Sequence, residues 1–237
     1  MANFPFQRLQ ADLAALIART PAGQRLPSEP DLAKQLGVSR ATLREAMRSF
    51  ETQGLIRRRQ GSGTFVVGKV AVIDSGLEVL ESLETMAKRL GLEVSVSDLS
   101  VEAAAADEEV ATALNVSVGT SLTRVRRVIR ADGRPVAYLV DILPEGVLNS
   151  KDLPIDFHGS VLDFLLGRGD SLTSSRANVS AIGATAEVAK ALEIQRGDVL
   201  LHFYSQLFDA NAKVVDYSLS YFIPGYFHFH VVRRVGK

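Results

Sequence analysis

The chain of 237 residues contains no cysteine and no tryptophan. Without cysteine it has neither disulfides nor cysteine metal sites, which fits the reducing cytoplasm where we expect it to reside. No apolar run approaches the roughly 20 residues of a membrane span, so no membrane partner is expected. Arg8 and Asp12 interrupt the N-terminal stretch, which lacks a cleavage-site pattern and is not expected to be a signal peptide.

The formal net charge of zero conceals a division of charge along the chain. Residues 1–70 hold 11 Lys and Arg against 5 Asp and Glu, a net of +6, and residues 71–237 hold 16 against 22, a net of −6. A basic N-terminal part is typical of a protein that binds a polyanion such as nucleic acid. We therefore expect two domains, of which only the first contacts DNA.

Residues 26–53 carry the signals of two short helices joined by a tight turn. Ser28 is a helix N-cap candidate, Gly37 ends that helix, and Ser39 caps a second one that runs to about Gln53. On the second helix, Leu43, Met47 and Phe50 have the i, i+4, i+7 spacing of a buried stripe. Three arginines follow another face at intervals of four, and these are Arg40, Arg44 and Arg48. The pattern predicts a helix-turn-helix.

A basic hairpin is predicted directly after these helices. Residues 57–60 read Arg-Arg-Arg-Gln, a Gly-Ser-Gly turn follows, and residues 64–67 form a returning strand. Arginines on one helix alone would indicate only a solvated face, but the conjunction with this wing indicates DNA binding. The predicted DNA-binding residues are Ser28, Ser39, Arg40, Thr42, Arg44, Arg48, Arg57, Arg58, Arg59, Gln60, Gly61, Ser62, Gly63 and Thr64. We expect Arg40 and Arg44 in the major groove, and the wing on the backbone and in the minor groove.

This stretch resembles the winged helix-turn-helix of the GntR family of bacterial transcription regulators. The resemblance covers about residues 5–68, and helix 6–19 is expected to complete the domain. The matching residues are Leu26-Pro27-Ser28-Glu29, Leu32-Ala33, Gly37-Val38-Ser39-Arg40, Thr42-Leu43-Arg44-Glu45-Ala46, Gly54-Leu55-Ile56 and Gly61-Ser62-Gly63-Thr64-Phe65-Val66.

The rest of the chain is predicted to be an α+β domain on an antiparallel sheet. We place a winged helix-turn-helix domain at 1–68, a linker and connecting helix at 69–91, with the helix over 75–90, and a second domain at 92–237. Strand patterns rich in Val, Leu, Phe and Tyr recur in the second domain, with short helices at about 107–114, 160–166 and 185–192. The strands are predicted at 92–102, 122–129, 135–143, 171–182, 199–208, 214–223 and 227–235.

An internal repeat with an offset of 78 residues runs through this second domain. Residues 110–119 resemble residues 188–197, Leu122 matches Leu200, and Val136 matches Val214. Helix-glycine-strand units can look alike by chance, which is the alternative interpretation. A true repeat predicts a pseudo-twofold axis, with a ligand pocket between the two copies.

The second half resembles the UTRA effector-binding domain of the HutC subfamily, which has a chorismate-lyase-like fold. The resemblance covers about 82–237 and rests on Arg127, Ala131-Asp132-Gly133-Arg134-Pro135-Val136-Ala137, Gly159-Ser160-Val161-Leu162, Gly197 and Val215-Asp216-Tyr217-Ser218-Leu219-Ser220-Tyr221. It implies a small-molecule effector, and we expect a repressor that releases its operator when the effector binds between the two repeat copies. Because helix-turn-helix proteins usually bind DNA as dimers, we expect a homodimer on a pseudo-palindromic operator.

The resemblance also implies which residues contact the effector. Members that bind phosphorylated sugars use arginine, serine, glutamate and tyrosine here, and this chain departs from that pattern with Leu139, Leu162, Ile129 and Phe222. We therefore expect a small, partly apolar effector with one acidic group, which Arg127 would contact. The predicted effector-binding residues are Ser82, Thr85, Arg127, Tyr138, Asp141, Ser160, Asp216 and Tyr221.

The sequence contains no pattern that indicates an enzyme. It has no Gly-x-Ser-x-Gly elbow, no phosphate-binding loop and no strong carboxylate pair, and we expect no cofactor. His228 and His230 lack further ligands nearby in sequence, so no metal site is expected. The alternatives are an enzyme of chorismate-lyase-like fold with a tethered DNA-binding domain, a purely architectural DNA protein, and an activator.

We expect the dimer surface at Tyr221, Phe222, Tyr226, Phe227 and Phe229.

Overall fold

The computed structural model describes residues 5–59, 62–67, 72–154, 157 and 159–234. These residues form two compact units: the first holds the described residues up to Val72 together with Pro224–His228, and the second holds the described residues from Ile73 to Ile223 and from Phe229 onward. Both units combine helices with antiparallel strands, which confirms the predicted α+β class. Within the described ranges, no helix has the length and apolarity that crossing a membrane requires.

The first unit has three helices and a two-stranded hairpin around one hydrophobic core. The predicted stripe is confirmed, because Leu43, Met47 and Phe50 are buried in that core with Leu9 and Leu13 of the first helix. The elements are α1 (Pro5–Arg19), α2 (Glu29–Leu36), α3 (Arg40–Thr52), β1 (Ile56–Arg59) and β2 (Gly63–Val66).

The second unit is built on a six-stranded antiparallel sheet. Its strand order is β4-β5-β6-β9-β8-β7, so β4 and β7 are the two edges. Its elements are β3 (Ile73–Gly76), α4 (Leu83–Arg89), β4 (Val94–Ala105), α5 (Glu108–Leu114), β5 (Ser121–Ala131), β6 (Arg134–Pro144), α6 (Val161–Arg168), β7 (Leu172–Gly183), α7 (Ala186–Ala191), β8 (Val199–Asp209) and β9 (Val214–Phe222). The last strand, β10 (Phe227–His230), has two residues in each unit.

The strand order confirms the internal repeat, because β4-α5-β5-β6 and β7-α7-β8-β9 occupy mirrored places across the β6–β9 pair. Equivalent turns repeat in detail. Asn115 and Glu193 both have positive φ, at 54° and 56°, and Gly119 and Gly197 follow at 84° and 87°. The amide of each glycine donates to the alanine that precedes its helix, which is Ala106 in one copy and Ala184 in the other.

The sheet has two differently covered faces. Helices α5 and α7 cover one face, where Gln206 of β8 donates to the carbonyl oxygen of Ala113. Helix α6 packs on the other face, where Val161 and Leu165 meet Val125 and other core residues. Because alternate residues of a strand point to opposite faces, odd and even positions of β6 belong to different environments.

The predicted helix over 75–90 is wrong in its first half. Residues 73–76 form β3, which pairs with the last residues of β10, and α4 begins only at Leu83. The Leu77 amide donates to the His230 carbonyl, and the Val232 amide donates to the Glu78 carboxylate and lowers its pKa. Pairing with residues about 150 positions away therefore overrides the local leucine spacing. Strand β10 also ends at His230 rather than at 235.

The aromatic cluster that we expected at a dimer surface is instead largely buried within the chain. Phe222, Tyr226 and Phe227 are all less than 10% exposed. Phe229 packs on Phe222 with their ring centroids 5.3 Å apart. Side chains that already contribute to the core of one chain leave little surface for a second copy, so this expectation is corrected.

Candidate functional site

Helix α3 presents a basic outer face because its two caps and its core stripe fix its orientation. Ser39 accepts a hydrogen bond from the Thr42 amide at 3.0 Å, and Ser28 caps α2 through the Asp31 amide. Gly37 ends α2 with a φ of 66°, a conformation that glycine adopts without strain. With its apolar stripe buried, α3 leaves Arg40 exposed to solvent, and Arg40 forms no ion pair with the described residues.

Arg44 and Arg58 belong to one ion-pair network. The Arg44 Nε donates to Glu29 Oε2 at 2.7 Å, and the Arg44 side chain remains 56% exposed. Arg58 reaches the Arg44 carbonyl oxygen at 3.1 Å and the Glu51 carboxylate at 3.3 Å. Arg58 therefore ties the first strand of the wing to helices α2 and α3, in addition to any role on DNA.

The wing is a short hairpin closed by a conformation that requires glycine. Strands β1 and β2 pair with Arg57 opposite Phe65 and Arg58 opposite Thr64. Gly63 has a φ of 109°, and an added Cβ would lie 2.3 Å from the Arg25 Nε. The Leu26 amide donates to the Thr64 carbonyl at 2.8 Å, so the segment before α2 lies along β2. Arg57 and Ser62 are exposed here.

A buried charged cluster lies on the α6 face of the six-stranded sheet. Arg127 of β5 is 4% exposed, and its Nη1 donates to the Gly159 carbonyl at 2.6 Å. Its guanidinium lies 3.6 Å from the Asp141 carboxylate on β6 and 3.9 Å from the Glu84 carboxylate on α4. Asp216 of β9 accepts from the Ile142 amide at 3.1 Å and completes the cluster.

Burial disfavours the charged form of three carboxyl groups in this cluster, those of Asp216, Asp141 and Glu84. It raises the pKa of Asp216 well above its usual range, and the negative charge of Asp141 adds to that shift. Burial also raises the pKa of Asp141, which the Arg127 guanidinium opposes. Glu84 shows the same two opposing effects, and its pKa is raised. One arginine therefore does not compensate three desolvated acids.

Two helix N-termini meet beside the cluster. Ser82 caps α4 by accepting from the Thr85 amide at 3.0 Å, and Ser160 caps α6 by accepting from the Asp163 amide. Asp163 in turn accepts from the Ser82 hydroxyl at 2.5 Å and the Thr85 hydroxyl at 3.2 Å. Thr85 is exposed, so this edge of the cluster borders solvent.

Comparisons with known proteins identify both units. Residues 6–66 match the family described as bacterial regulatory proteins, gntR family, and residues 89–228 match the UTRA domain. The UTRA match alone spans more than half of the chain. This chain belongs to the gntR family and carries a UTRA domain. The protein is therefore a transcription regulator that binds DNA through its first unit and small-molecule effectors through its UTRA domain, and it is not an enzyme.

Individual relatives agree with this assignment. The chain is 32% identical to the histidine utilization repressor of Pseudomonas putida, over 76% of this chain and 72% of that one. It is 31% identical to the transcriptional repressor NagR of Bacillus subtilis, over 74% and 72%. The crystal structure of PhnF from Mycobacterium smegmatis has the same fold, with a TM-score of 0.66 at 24% identity, over 96% of this chain and 100% of that chain.

The predicted DNA-binding residues lie in different environments. Arg40, Arg44 and Arg57 are exposed, whereas Arg48 is half-buried and 3.7 Å from Glu45. Thr64 is 6% exposed, so its side chain is not available to DNA, and that expectation is corrected. Gln60, Gly61 and the side chain of Arg59 lie outside the described residues. The remaining positions stay predictions.

The structure brings together six of the eight predicted effector residues and separates the other two. Ser82, Thr85, Arg127, Asp141, Ser160 and Asp216 all belong to the cluster or its rim. Tyr138 and Tyr221 stack on each other on the opposite face, and the Tyr138 hydroxyl donates to Glu187 of α7. Tyr138 and Asp141 are three positions apart on one strand, so their side chains point to opposite faces. These two tyrosines therefore lie apart from the cluster, and their role in effector binding stays a prediction.

Sequence reasoning missed three residues. Arg25 lies beside the wing, and Glu84 and Asp163 lie in the charged cluster. For Asp163 a signal exists, because an acidic residue three positions after a capping serine resembles the first turn of a capped helix. For Arg25 and Glu84 the sequence carries no comparable signal, because their partners are distant in the chain.

Proposed function

We propose that the protein is a repressor that leaves its operator when a small molecule binds at the Arg127 cluster. The observation that carries this proposal is the contact between α4 and the cluster, through Glu84, Ser82 and Asp163. Helix α4 is the first helix of the second unit, and a ligand that alters its cap changes the segment continuous with the DNA-binding unit. A ligand shifts DNA affinity only through different affinities for two arrangements, so the α4 cap would have to differ between the arrangement that binds DNA and the one that does not.

Repression is favoured by relatives whose names describe repressors, including NagR and the histidine utilization repressor. The test first measures operator binding by the full chain, with duplexes selected from a random library. The measurement is then repeated with a panel of metabolites at cytoplasmic concentrations. Release of the operator by a panel member supports repression. Tighter binding in its presence, with increased transcription, would instead indicate an activator.

We further propose that the protein is a homodimer on a pseudo-palindromic operator, joined along β7. Strand β7 is 12 residues long, and most of its residues are exposed. Arg176 is its one charged residue. The other edge, β4, carries Asp98 with a φ of 50° and a register shift between Ser97 and Ser100. Bulges and charges protect sheet edges from pairing. In β7 the register with β8 is regular over most of the strand. An antiparallel β7–β7 contact would join two copies about a twofold axis.

The dimer surface is tested by Val179→Lys, because Val179 of β7 is 50% exposed. We expect this variant to shift the full chain toward monomer in sedimentation at micromolar concentration and to weaken operator binding. Val118→Lys is the matched control, since Val118 is 64% exposed and lies outside the strands. A Val179→Lys protein that remains as dimeric as the control would remove β7 from the interface.

A further inference from the structure

The charges around Arg127 are unbalanced. Four carboxyl groups, those of Glu84, Asp141, Asp163 and Asp216, are joined to one guanidinium by direct contacts or through a shared neighbour. Arg127 is the single cation that the contacts among the described residues assign to this cluster. If all groups were ionised the cluster would have a net charge of −3, which a buried environment strongly disfavours.

Several buried polar atoms of the cluster accept or donate no hydrogen bond among the described residues. These atoms are Nε of Arg127, Oδ2 of Asp141 and both carboxylate oxygens of Glu84. Arg127 and Asp141 are more than nine-tenths buried. Asp141 Oδ2 and one Glu84 oxygen have ion pairs with Arg127, at 3.6 and 3.9 Å, but no hydrogen bond. Buried polar groups in folded proteins are almost always hydrogen-bonded, so these orphaned acceptors beside an exposed rim favour a ligand that donates to them. Three of the four orphaned atoms are acceptors.

A row of hydroxyl groups continues the same face of the sheet. Ser218 of β9 lies opposite Asp141 in the β6–β9 register, and Ser220 lies opposite Leu139. Ser205 of β8 lies opposite Ser218. All three serines are half-buried. Because directly opposed residues share a face, these hydroxyls stand next to the carboxylates and can bind polar parts of a ligand.

We propose that the effector carries a positively charged amino group, which binds between Glu84 and Asp141, and hydroxyl groups that the serines bind. An acidic effector would have to replace the 2.6 Å bond from Arg127 to the Gly159 carbonyl and approach several carboxylates. A protonated amine donates up to three hydrogen bonds and accepts none, which matches orphaned acceptors. This replaces the sequence-based expectation of an acidic group on the effector. The inference rests on the proposed function, because it takes this cluster to be the effector site.

The test uses three small probes of matched shape on the ¹⁵N-labelled full chain. The probes are 2-hydroxyethylammonium, which is cationic, glycolate, which is anionic, and ethylene glycol, which is neutral. The signal is the Arg127 Nε–H resonance, assigned by its absence in the Arg127→Lys protein. At constant ionic strength we expect a saturable shift with 2-hydroxyethylammonium, and at least tenfold weaker effects with the other two probes.

Variants connect the signal to the acidic side chains. Glu84→Gln and Asp141→Asn should each weaken the response to 2-hydroxyethylammonium at least tenfold, and Glu84→Gln remains informative if the buried Asp141→Asn fails to fold. Glu108→Gln is the control, because Glu108 is exposed on α5 over the opposite face. A saturable response to glycolate, or no saturable response to 2-hydroxyethylammonium, would overturn the proposal. Operator binding is measured on the same sample. Because operator binding does not depend on the charge of the probe, it separates failure of this inference from failure of the proposed function.

Discussion

The DNA surface is tested most sharply by Arg44→Ala. The Arg44 side chain is 56% exposed, and among the described residues its one carboxylate partner is Glu29 at 2.7 Å. Exposed ion pairs contribute at most about 1 kcal/mol, so the variant should remain folded. A two-pronged arginine–guanine contact discriminates bases by about 1–3 kcal/mol. Since about 1.4 kcal/mol is tenfold in affinity, operator binding should weaken by roughly 5- to 150-fold.

The assay is fluorescence anisotropy with the operator and with duplexes changed at one base pair at a time. Arg44→Ala should bind the operator and one class of changed duplex with nearly equal affinity, because the base that Arg44 reads is no longer distinguished. Arg8→Ala is the matched control, since Arg8 is an exposed arginine of α1 in the same unit. A uniform loss across all duplexes, equal to that of the control, would refute base reading by Arg44.

Contacts in the wing and in the Arg127 cluster have measurable effects on stability. Arg58→Ala should lower the urea midpoint of the full chain and weaken binding to all duplexes alike, because Arg58 pairs with Glu51 and is near Glu29. Unchanged stability would contradict this. Gly63→Ala should destabilise the wing by about 1–3 kcal/mol, since φ is 109° there, and hydrogen exchange of the β1 amides should rise. Asp216→Asn should stabilise the fold more at pH 8 than at pH 5. The pKa of Asp216 is raised in the folded protein, so the wild type loses stability as the pH rises from 3.8, the ordinary value of the carboxyl, through the folded pKa. Urea titrations at both values check the sign, and an equal effect at the two pH values would contradict it.

Features encoded by local chemistry were predictable from the sequence. The caps Ser28 and Ser39 and the stripe on α3 depend on residues within one or two helical turns of each other, so their spacing is visible directly. The repeat was visible for the same reason, since two copies of one local pattern lie 78 residues apart. The predicted first helix and the winged domain were confirmed on this basis.

Features that depend on distant pairing were not predictable. Leu77 and Leu80 have the spacing of a helix face but are 39% and 50% exposed, because the backbone at 73–76 pairs with the C-terminal strand instead. The balance of charge at Arg127 depends on Glu84, which approaches from 43 positions earlier in the chain. The separation of Tyr138 from Asp141 was available from strand periodicity, and the resemblance alone concealed it.

The central claim is that a small molecule at the Arg127 cluster controls operator binding. The direct measurement is the ratio of operator affinities without and with an effector found in the metabolite panel, for the wild-type chain, Glu84→Gln and the control Glu108→Gln. Coupling between sites is typically 5- to 150-fold. We expect a ratio in that range for the wild-type and control proteins and a ratio near one for Glu84→Gln at the same effector concentration. A Glu84→Gln protein that releases the operator at the same effector concentration as the wild type would contradict it.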